Sequence, residues 1–382
     1  MLKKAKLKPV LKWAGGKTSE LPIIHKYMPS EFDNFYEPFI GGGAVWLTIS
    51  NEHKMFVNDF SVDLVNLYNC IKEENKDFYN FISAFNELWL ELSKFSIKNT
   101  KELVNSYKKY KQNTNKDELS KSVTDLFTPF FQNNSYFSKL NVFTNSQTIN
   151  SESLLKNTIP KIVKLHQTEE KRGLLPEEDY ILNIETIFKN SAYLLLRNLY
   201  NTFLTKKENY SKGVESAIYY LMRDLAYSGM FRFNSNGEFN VPYGGMSYNS
   251  KNFKNKLDLV QNKELIEHFN HSTINNGDFY EFFNKYPPKS NDFIFLDPPY
   301  DSEFSNYEGN EFSKKDQTRL ADYLIKECKG KWMVVIKNTD FIYSLYNQPG
   351  IEIITFDKKY AVSFMDRNNQ EVTHLLIKNY KE

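Results

Sequence analysis

Cysteine is nearly absent from this chain of 382 residues, which contains only Cys70 and Cys328. Two cysteines so far apart in sequence argue against a disulfide framework and are typical of a reducing compartment. No apolar run reaches the roughly 18 residues that are needed to span a membrane, and no signal peptide opens the chain. We therefore expect a cytoplasmic protein without a membrane partner.

A large excess of charge is also lacking, since 49 Lys and Arg residues nearly balance 47 Asp and Glu residues. With a formal net charge of +2, any nucleic-acid partner would have to bind a local basic patch. Aromatic residues, in contrast, make up 16% of the chain and hydrophobic residues 41%, which suffices for a packed core. The length predicts one large domain or two.

The segment 291–300 predicts a buried strand that ends abruptly. Its apolar residues show no helical spacing, and Pro298 and Pro299 cannot donate the hydrogen bonds of a ladder. The strand must stop at Asp297, which leaves a carboxylate, a rigid turn and the ring of Tyr300 at its carboxyl end. Ligands bind at that end of the strands in open α/β sheets. Alone, the segment is equally compatible with a plain turn.

A glycine loop near the start of the chain, Lys12-Trp13-Ala14-Gly15-Gly16-Lys17-Thr18, imitates a phosphate-binding loop. The pattern G-x-x-x-x-G-K-[ST] requires glycine where this chain has Leu11, so the nucleoside-triphosphatase interpretation fails. A glycine turn bracketed by Lys12, Trp13 and Lys17 remains, ahead of a predicted helix at 21–27. A helix-entry turn without chemistry is the alternative.

A second glycine loop, Glu37-Pro38-Phe39-Ile40-Gly41-Gly42-Gly43, is predicted to join a strand to a helix that runs to about Asn51. Its glycines allow positive φ angles and close approach of backbone N–H groups to a ligand at the helix N-terminus. The dinucleotide fingerprint G-x-G-x-x-G fails because Trp46 occupies the third glycine position, which disfavours a dehydrogenase.

The strand predicted at 55–59 ends in Asp59. In a βαβ nucleoside-binding unit, such an acid accepts hydrogen bonds from ribose hydroxyls. Together with the second glycine loop, Asp59 indicates an adenosine-type cofactor. Its alternative role is to cap the helix predicted at 62–72, and both roles are compatible.

Residues 227–245 predict a hairpin in which Arg232, Asn234 and Asn236 alternate with other side chains before a turn at Asn236-Gly237. Such a hairpin can enter a DNA groove, where Arg reads guanine and Asn reads adenine. A surface hairpin with a polar face is the alternative, and it would be preferred if the segment stood alone.

Asp278 and Phe279 follow another predicted strand, where Asp278 would accept a hydrogen bond from an adenine amino group and Phe279 would pack on the ring. Strands alternate with helices at both ends of the chain, which predicts an α/β sheet. Between them, about 76–191 is interpreted as a mainly helical insertion without chemistry of its own. Its Ser/Thr/Asn-rich part, 132–153, is predicted to be a loop.

In this order, these segments resemble the Dam-like, class D12 family of DNA adenine N6-methyltransferases over about 8–75 and 191–380. The resemblance implies a Rossmann-like mixed α/β sheet that binds S-adenosylmethionine and has an antiparallel last strand. It implies a catalytic domain of 8–75 and 270–382. An inserted, mainly helical DNA-recognition domain would cover 76–269, with 85–190 as an extra insertion. The matching segments are Leu11–Lys17, Glu37–Gly43, Asn58–Asp59, Gly229–Asn234, Gly237–Pro242, Gly277–Phe279 and Asp297–Tyr300.

The resemblance also implies residue roles. Cofactor contacts would come from Trp13, Lys17, Glu37, Pro38, Phe39, Gly41, Gly43, Asp59, Asp278, Phe279 and Asp297. Catalytic residues would be Asp297, Pro298, Pro299 and Tyr300. DNA contacts would come from Lys12, Tyr227, Ser228, Met230, Arg232, Asn234 and Asn236. Relatives that recognise GATC commonly carry Asn where this chain has Ser228, so the target site stays open.

The chemistry of adenine accounts for Asp-Pro-Pro-Tyr. The lone pair of the exocyclic amine is delocalised into the ring, and an enzyme must rotate the base out of the duplex to reach it. Asp297 and the carbonyl of Pro298 would accept hydrogen bonds from the amine, while Tyr300 would stack on the extruded base. This scheme needs double-stranded DNA and S-adenosyl-L-methionine but no metal, and a separately encoded restriction endonuclease is a further expected partner.

Two alternatives of other classes remain at this point. One is a methyltransferase of RNA or of a protein amide, because an acid followed by Pro-Pro-Tyr also suits other planar nitrogens. The other is a catalytically silent DNA-binding protein that has kept the fold.

Overall fold

A computed structural model describes residues 7–132, 136–144, 149–205, 209–300, 312–358 and 372–381. The chain forms two compact units, one made of Met1–Lys72 with Asn262–Glu382 and the other of Glu73–Gln261. In chain order the helices are α1 (Leu21–Tyr27), α2 (Val62–Lys72), α3 (Lys76–Lys98), α4 (Thr100–Asn113), α5 (Lys116–Gln132), α6 (Tyr136–Thr144), α7 (Ser151–Arg172), α8 (Glu177–Leu204), α9 (Lys212–Leu225), α10 (Phe253–Val260), α11 (Lys263–Asn270), α12 (Phe279–Lys285), α13 (Lys314–Lys326) and α14 (Asp340–Tyr346).

The first unit is built on a seven-stranded sheet with the order β3-β2-β1-β4-β5-β7-β6. Neighbouring strands from β3 to β5 are parallel, whereas β7 is antiparallel to both β5 and β6. The sheet confirms the predicted mixed α/β class and its antiparallel last strand. The strands are β1 (Asn34–Glu37), β2 (Lys54–Asp59), β3 (Ser272–Asn276), β4 (Phe293–Leu296), β5 (Lys331–Lys337), β6 (Glu352–Lys358) and β7 (Val372–Lys378).

The centre of the sheet is buried on both faces. Every residue of β4 is fully buried, as expected for a parallel strand that is covered by helices on each side. Its side chains pack with the apolar faces of α12 and α13, which contribute Phe282, Phe283 and Leu320. This packing fixes the end of β4 and therefore the position of Asp297, the next residue.

The prediction of a helix after the second glycine loop is wrong. Only a 3₁₀ turn, Trp46–Thr48, follows the glycines, and the chain becomes extended at Ile49. Within this turn the Trp46 carbonyl accepts the amide of Ile49 at 3.0 Å, and the backbone of Trp46 also has partners outside the turn. Its N–H donates to the carboxylate of Glu37 at 2.8 Å, and its carbonyl lies 3.1 Å from Nε2 of His268. The loop therefore has no long helix whose N-terminus would supply a dipole.

The second unit contains α3 to α10. The loop predicted at 132–153 is partly wrong, because it contains α6 and the beginning of α7. Buried Phe137 and Leu140, three residues apart, give α6 an apolar face. The helices α7 and α8 are joined by a short connection and pack together, with a hydrogen bond of 3.0 Å from Thr158 to Ser191.

A buried carboxylate, Glu169 on α7, ties together several elements of this unit. It accepts hydrogen bonds from the hydroxyls of Tyr107 and Tyr180 and from the amide of Leu175, and it pairs with Lys111 at 3.0 Å. Burial alone would raise the pKa of Glu169, but these donors lower it to about 2. The network therefore stabilises the ionised form.

Neither a membrane span nor a metal site is present in the described residues. No helix in the described ranges is long and apolar enough to cross a membrane. In the same part of the chain, no group of three or more His, Cys, Asp and Glu side chains is arranged to hold a metal ion.

Candidate active site

Four acids lie at the carboxyl edge of the sheet. Glu37 ends β1, Asp59 ends β2, Asp278 follows β3 and Asp297 follows β4. These strands are parallel neighbours in the order β3-β2-β1-β4, so their carboxyl ends meet at one edge. That edge is where ligands bind in open α/β sheets. The four acids come from segments far apart in sequence, and the topology brings them into one row.

Asp297 is only 20% exposed, and its carboxylate contacts the ammonium group of Lys17. The turn that follows is held from outside the loop, because the buried side-chain amide of Gln317 on α13 donates to the Pro299 carbonyl at 2.7 Å. Pro298 is buried, Pro299 is exposed and Tyr300 is partly buried. The acid and the ring that sequence reasoning assigned to catalysis thus leave the sheet in a fixed turn.

Lys17 connects these residues. It lies in a 3₁₀ turn, its side chain is only 2% exposed, and its ammonium donates to the carbonyl of Gly15 at 2.9 Å. The same ammonium contacts Asp297 and lies 3.4 Å from the hydroxyl of Tyr300. A buried ammonium requires such partners, because an unpaired one would be strongly destabilising. The structure therefore brings Lys17, Asp297 and Tyr300 into a single cluster.

Glu37 belongs to the same electrostatic environment. Burial is the main reason why the pKa of Glu37 is raised well above its usual range. The hydrogen bond from the Trp46 amide and the charge of Lys17 oppose this rise, whereas the carboxylates of Asp297 and Asp59 add to it. The raised pKa favours the protonated form of Glu37, and a neutral Glu37 reduces repulsion within the row.

The second glycine loop is shaped by its own close contacts. Gly41 and Gly43 adopt positive φ angles of 46° and 69°. A methyl group at Gly41 would lie 2.7 Å from Cδ1 of Trp13, so the indole packs directly on the loop. Asp59 accepts a hydrogen bond from the Gly41 amide at 2.9 Å, and the hydroxyl of Tyr68 donates to the Gly41 carbonyl at 2.6 Å. Trp13, the glycine loop and Asp59 are therefore in contact, as one site requires.

Asp278 and Phe279 lie at the other end of the row. One oxygen of Asp278 accepts the amide of Tyr280 at 2.8 Å and caps α12, and the other contacts Arg319 on α13. The guanidinium of Arg319 also lies 4.7 Å from the centre of the buried Phe279 ring. Phe39 from the glycine loop packs on Phe279 with ring centres 5.7 Å apart. Arg319 thus contacts both Asp278 and Phe279, the two residues that were expected to bind adenine.

The residues expected to contact DNA fall in both units. Lys12, in the first unit, is exposed. In the second unit Arg232 and Asn236 are exposed, whereas Asn234 uses its side-chain oxygen to accept the amides of Asn236 and Glu238 at 3.0 and 2.9 Å. Asn234 therefore builds the turn of the hairpin.

Near the start of this segment, Tyr227 and Ser228 are exposed and Met230 is partly buried. Ser228 has a φ angle of 54°, in the left-handed region, and its amide donates to the hydroxyl of Tyr248 at 3.2 Å. This is a conformation that Asn adopts more readily than Ser.

Comparison with known proteins gives the family. The model of the D12 class of N6 adenine-specific DNA methyltransferases matches residues 13–362. The chain belongs to this family.

Curated relatives of this D12-class methyltransferase cover almost its whole length. It is 28% identical to the Type II methyltransferase M.CviBI of Paramecium bursaria Chlorella virus NC1A, over 98% of this chain and 100% of the relative. It is 24% identical to the Type II methyltransferase M1.LlaDCHI of Lactococcus lactis subsp. cremoris, over 99% and 97%. It is 22% identical to a DNA adenine methylase of Vibrio cholerae, over 95% and 93%. This D12-class enzyme is accordingly an adenine-specific DNA methyltransferase.

Sequence reasoning missed three residues of this D12-class site. Arg319 contacts Asp278, Gln317 holds the Pro299 carbonyl, and Nε2 of His374 on β7 lies 3.2 Å from the hydroxyl of Tyr300. Gln317 and Arg319 lie among other polar residues of α13, and His374 lies on β7. No spacing or motif in the sequence distinguishes them, and only the packing of α13 and β7 reveals their partners.

Proposed function

We propose that this enzyme transfers the methyl group of S-adenosyl-L-methionine to N6 of a flipped adenine at specific sites in double-stranded DNA. One observation carries the proposal: the carboxylate of Asp297 and the ring of Tyr300 leave the carboxyl end of β4 together and are joined through Lys17. Neighbouring strand ends add the glycine loop and Asp59, in the positions where a nucleoside cofactor would bind.

The residues present fit that cofactor. Glycine at position 41 lets the loop backbone lie directly against the indole of Trp13, where any side chain would collide, and this close packing suits a cofactor cradle. Carboxylates of Asp59 and Asp278 suit hydroxyl and amine donors, and the ammonium of Lys17 suits a carboxylate. We assign these residues, with Glu37, Pro38, Phe39, Gly43 and Phe279, to cofactor binding. When bound, S-adenosyl-L-methionine supplies an activated methyl group on a sulfonium centre.

The chain supplies positioning and electrostatics. The carboxylate of Asp297 and the carbonyl of Pro298 accept hydrogen bonds from the adenine amine, so that its lone pair is localised on nitrogen. Asp297 and the Pro298 carbonyl stabilise the positive charge that develops on N6, and after transfer one N6 proton passes to solvent water. Tyr300 stacks on the extruded base, a contact worth about 1–3 kcal/mol. Lys17 holds Asp297 and Tyr300 in one arrangement.

We further propose that Glu73–Gln261 is the inserted DNA-recognition domain. The hairpin with exposed Arg232 and Asn236 supports this role, since Arg and Asn discriminate bases in the major groove. Tyr227, Ser228 and Met230 would add contacts, as would Lys12 from the first unit. Two relatives are named Type II methyltransferases, which supports a partner restriction endonuclease encoded separately. The reduced cysteines Cys70 and Cys328 support a cytoplasmic location.

The test of the reaction is methylation of DNA by the full chain and by an Asp297→Ala variant. We expect the wild-type chain to label DNA with a radioactive methyl group, and sequencing to find N6-methyladenine within a fixed site. The Asp297→Ala variant should lose this activity while its circular dichroism is unchanged. Substantial residual transfer by that variant would refute the role of Asp297. Transfer to RNA rather than DNA would refute the substrate.

A second test concerns base reading by Arg232. Methylation rates on duplexes that differ by one base pair within the site should become more uniform at one position in Arg232→Ala, because one bidentate contact contributes about 1–3 kcal/mol of discrimination. Lys101 is an exposed residue of α4 outside the hairpin, so Lys101→Gln serves as the control. An unchanged preference in Arg232→Ala would exclude direct reading by this residue.

A further inference from the structure

Three cationic residues lie close to one another on the paired helices α7 and α8. Lys161 and Lys164 are one turn apart on α7, and Arg197 lies on α8. The bond between Thr158 and Ser191 fixes the antiparallel register of the two helices. Side chains tilt toward the N-terminus of their own helix, so Lys161 reaches back along α7 while Arg197 reaches the opposite way along α8. The two long side chains therefore extend toward each other.

Their charges reinforce rather than cancel one another. Burial lowers the pKa of Lys161, and the positive charges of Lys164 and Arg197 lower it further. Within the described part of the chain, none of the three side chains forms an ion pair with a carboxylate. Other partly buried lysines of the unit do, such as Lys111 with Glu169 and Lys251 with Asp224. We call Lys161, Lys164 and Arg197 the cationic cluster.

The cationic cluster adjoins the hairpin. Arg197 lies four residues after Tyr193 and four before Asn201, on one face of α8. The hydroxyl of Tyr193 donates to the carbonyl of Val241 at 2.7 Å. The side chain of Asn201 bonds to both backbone groups of Phe239, at 2.8 and 3.1 Å. The face of α8 that holds the returning segment of the hairpin, which contains Phe239 and Val241, therefore also carries Arg197.

We infer that the cationic cluster binds phosphates of the DNA backbone beside the bases that the hairpin reads. Uncompensated, mutually repelling cations are stabilised by an anion, and the proposed DNA contacts of the hairpin lie next to them. Backbone contacts position a protein on the duplex without carrying sequence information. The helices α7 and α8, within the segment that had no assigned role, then add affinity rather than specificity. This inference rests on the proposed DNA-recognition role of the second unit.

The test is the salt dependence of DNA binding by the full chain. Each phosphate contact contributes about 0.9 to the slope of log affinity against log salt concentration. The triple variant Lys161→Gln, Lys164→Gln, Arg197→Gln should therefore have a slope smaller by about 2.7. Affinity should fall equally for a duplex that the enzyme methylates and for one that lacks the site.

The matched control removes three other exposed cations from the same unit, Lys101, Lys116 and Lys121 on α4 and α5. This control changes the net charge equally, and we expect its slope to stay near the wild-type value. Equal slopes for the two triple variants would overturn the inference, as would a changed base preference in the cluster variant. The conservative change Arg197→Lys should retain the slope, which separates charge from folding defects.

The outcome is separable from that of the proposed function. Binding slopes are measured without turnover, so a wild-type chain that fails to methylate DNA would refute the methyltransferase proposal while the comparison of slopes still stands. A wild-type chain that methylates DNA with slopes unaffected by the cluster variant would refute only the cationic cluster.

Discussion

Replacing Gly41 by alanine tests whether the contact between the glycine loop and Trp13 shapes the cofactor site. Gly41 has a φ angle of 46°, and an added methyl group would lie 2.7 Å from Cδ1 and 2.8 Å from Nε1 of the indole. The two atoms belong to a partly buried ring, so the ring or the loop has to move. We expect Gly41→Ala to reduce both stability and cofactor affinity.

The magnitude has two parts. A non-glycine residue in the left-handed region costs about 1–2 kcal/mol. Overpacking of a close contact typically adds about 1–3 kcal/mol. Gly350 isolates the first part, because its φ angle is 88° and an added methyl group would have no neighbour within 4 Å. Gly350→Ala should therefore lose only the backbone contribution, and Gly41→Ala about 1–3 kcal/mol more.

The assay combines urea unfolding with calorimetric titration of S-adenosyl-L-methionine into each variant. Gly41→Ala should have the lower unfolding midpoint and bind the cofactor more weakly than wild type, whereas Gly350→Ala should bind it normally. Equal unfolding midpoints for the two variants would show that the Trp13 ring moves away from the added methyl group without loss of stability. Unchanged cofactor affinity in Gly41→Ala would remove this loop from the binding site.

Three further predictions concern single side chains. Arg319→Ala should weaken cofactor binding several-fold with little loss of stability, since the ion pair of Arg319 with Asp278 is partly exposed. A cofactor affinity equal to that of wild type in titrations would contradict a role of Arg319 in holding Asp278. His374→Phe keeps a ring beside Tyr300 but loses its hydrogen bond, so kcat should fall about tenfold with KM for DNA unchanged; His374→Gln should restore part of the rate. Because the folded pKa of Glu169 is lowered to about 2, its contribution to stability is present above pH 4.5 and lost as the pH falls toward 2. Urea unfolding should show a loss on the order of 3 kcal/mol over that range, and a smaller loss in Glu169→Gln.

The ends of β3 and β4 could be predicted from the sequence because proline and glycine residues there interrupt a strand. Two prolines follow Asp297, the first residue after β4, and a Gly-Asp pair follows β3. Once the strands are known to be parallel, their terminal acids must share one edge. The positions of Asp59, Asp278 and Asp297 at strand ends therefore followed from short stretches of sequence, whereas the role of Glu37 was implied only by the resemblance to the family.

The rest depended on contacts between distant segments. A glycine loop before apolar residues resembles a helix start, but only one 3₁₀ turn forms there, and the backbone of Trp46 also contacts the distant residues Glu37 and His268. Likewise the Ser/Thr/Asn-rich stretch became helical because Phe137 and Leu140 are buried by tertiary packing, which overrides weak local propensity. Partners such as Arg319 cannot be found by any local pattern.

The interleaved sheet has a consequence for synthesis of the chain. β1 and β2 emerge first, yet β1 pairs with β4 through Phe35 and Phe293, and β2 pairs with β3 through Met55 and Ser272. The nascent β1–β2 pair therefore has both edges unpaired while the whole of the second unit is translated. Pairings of such long sequence separation form slowly. We expect the helical unit to fold first on the ribosome, and the sheet to close only after β4 has left the exit tunnel.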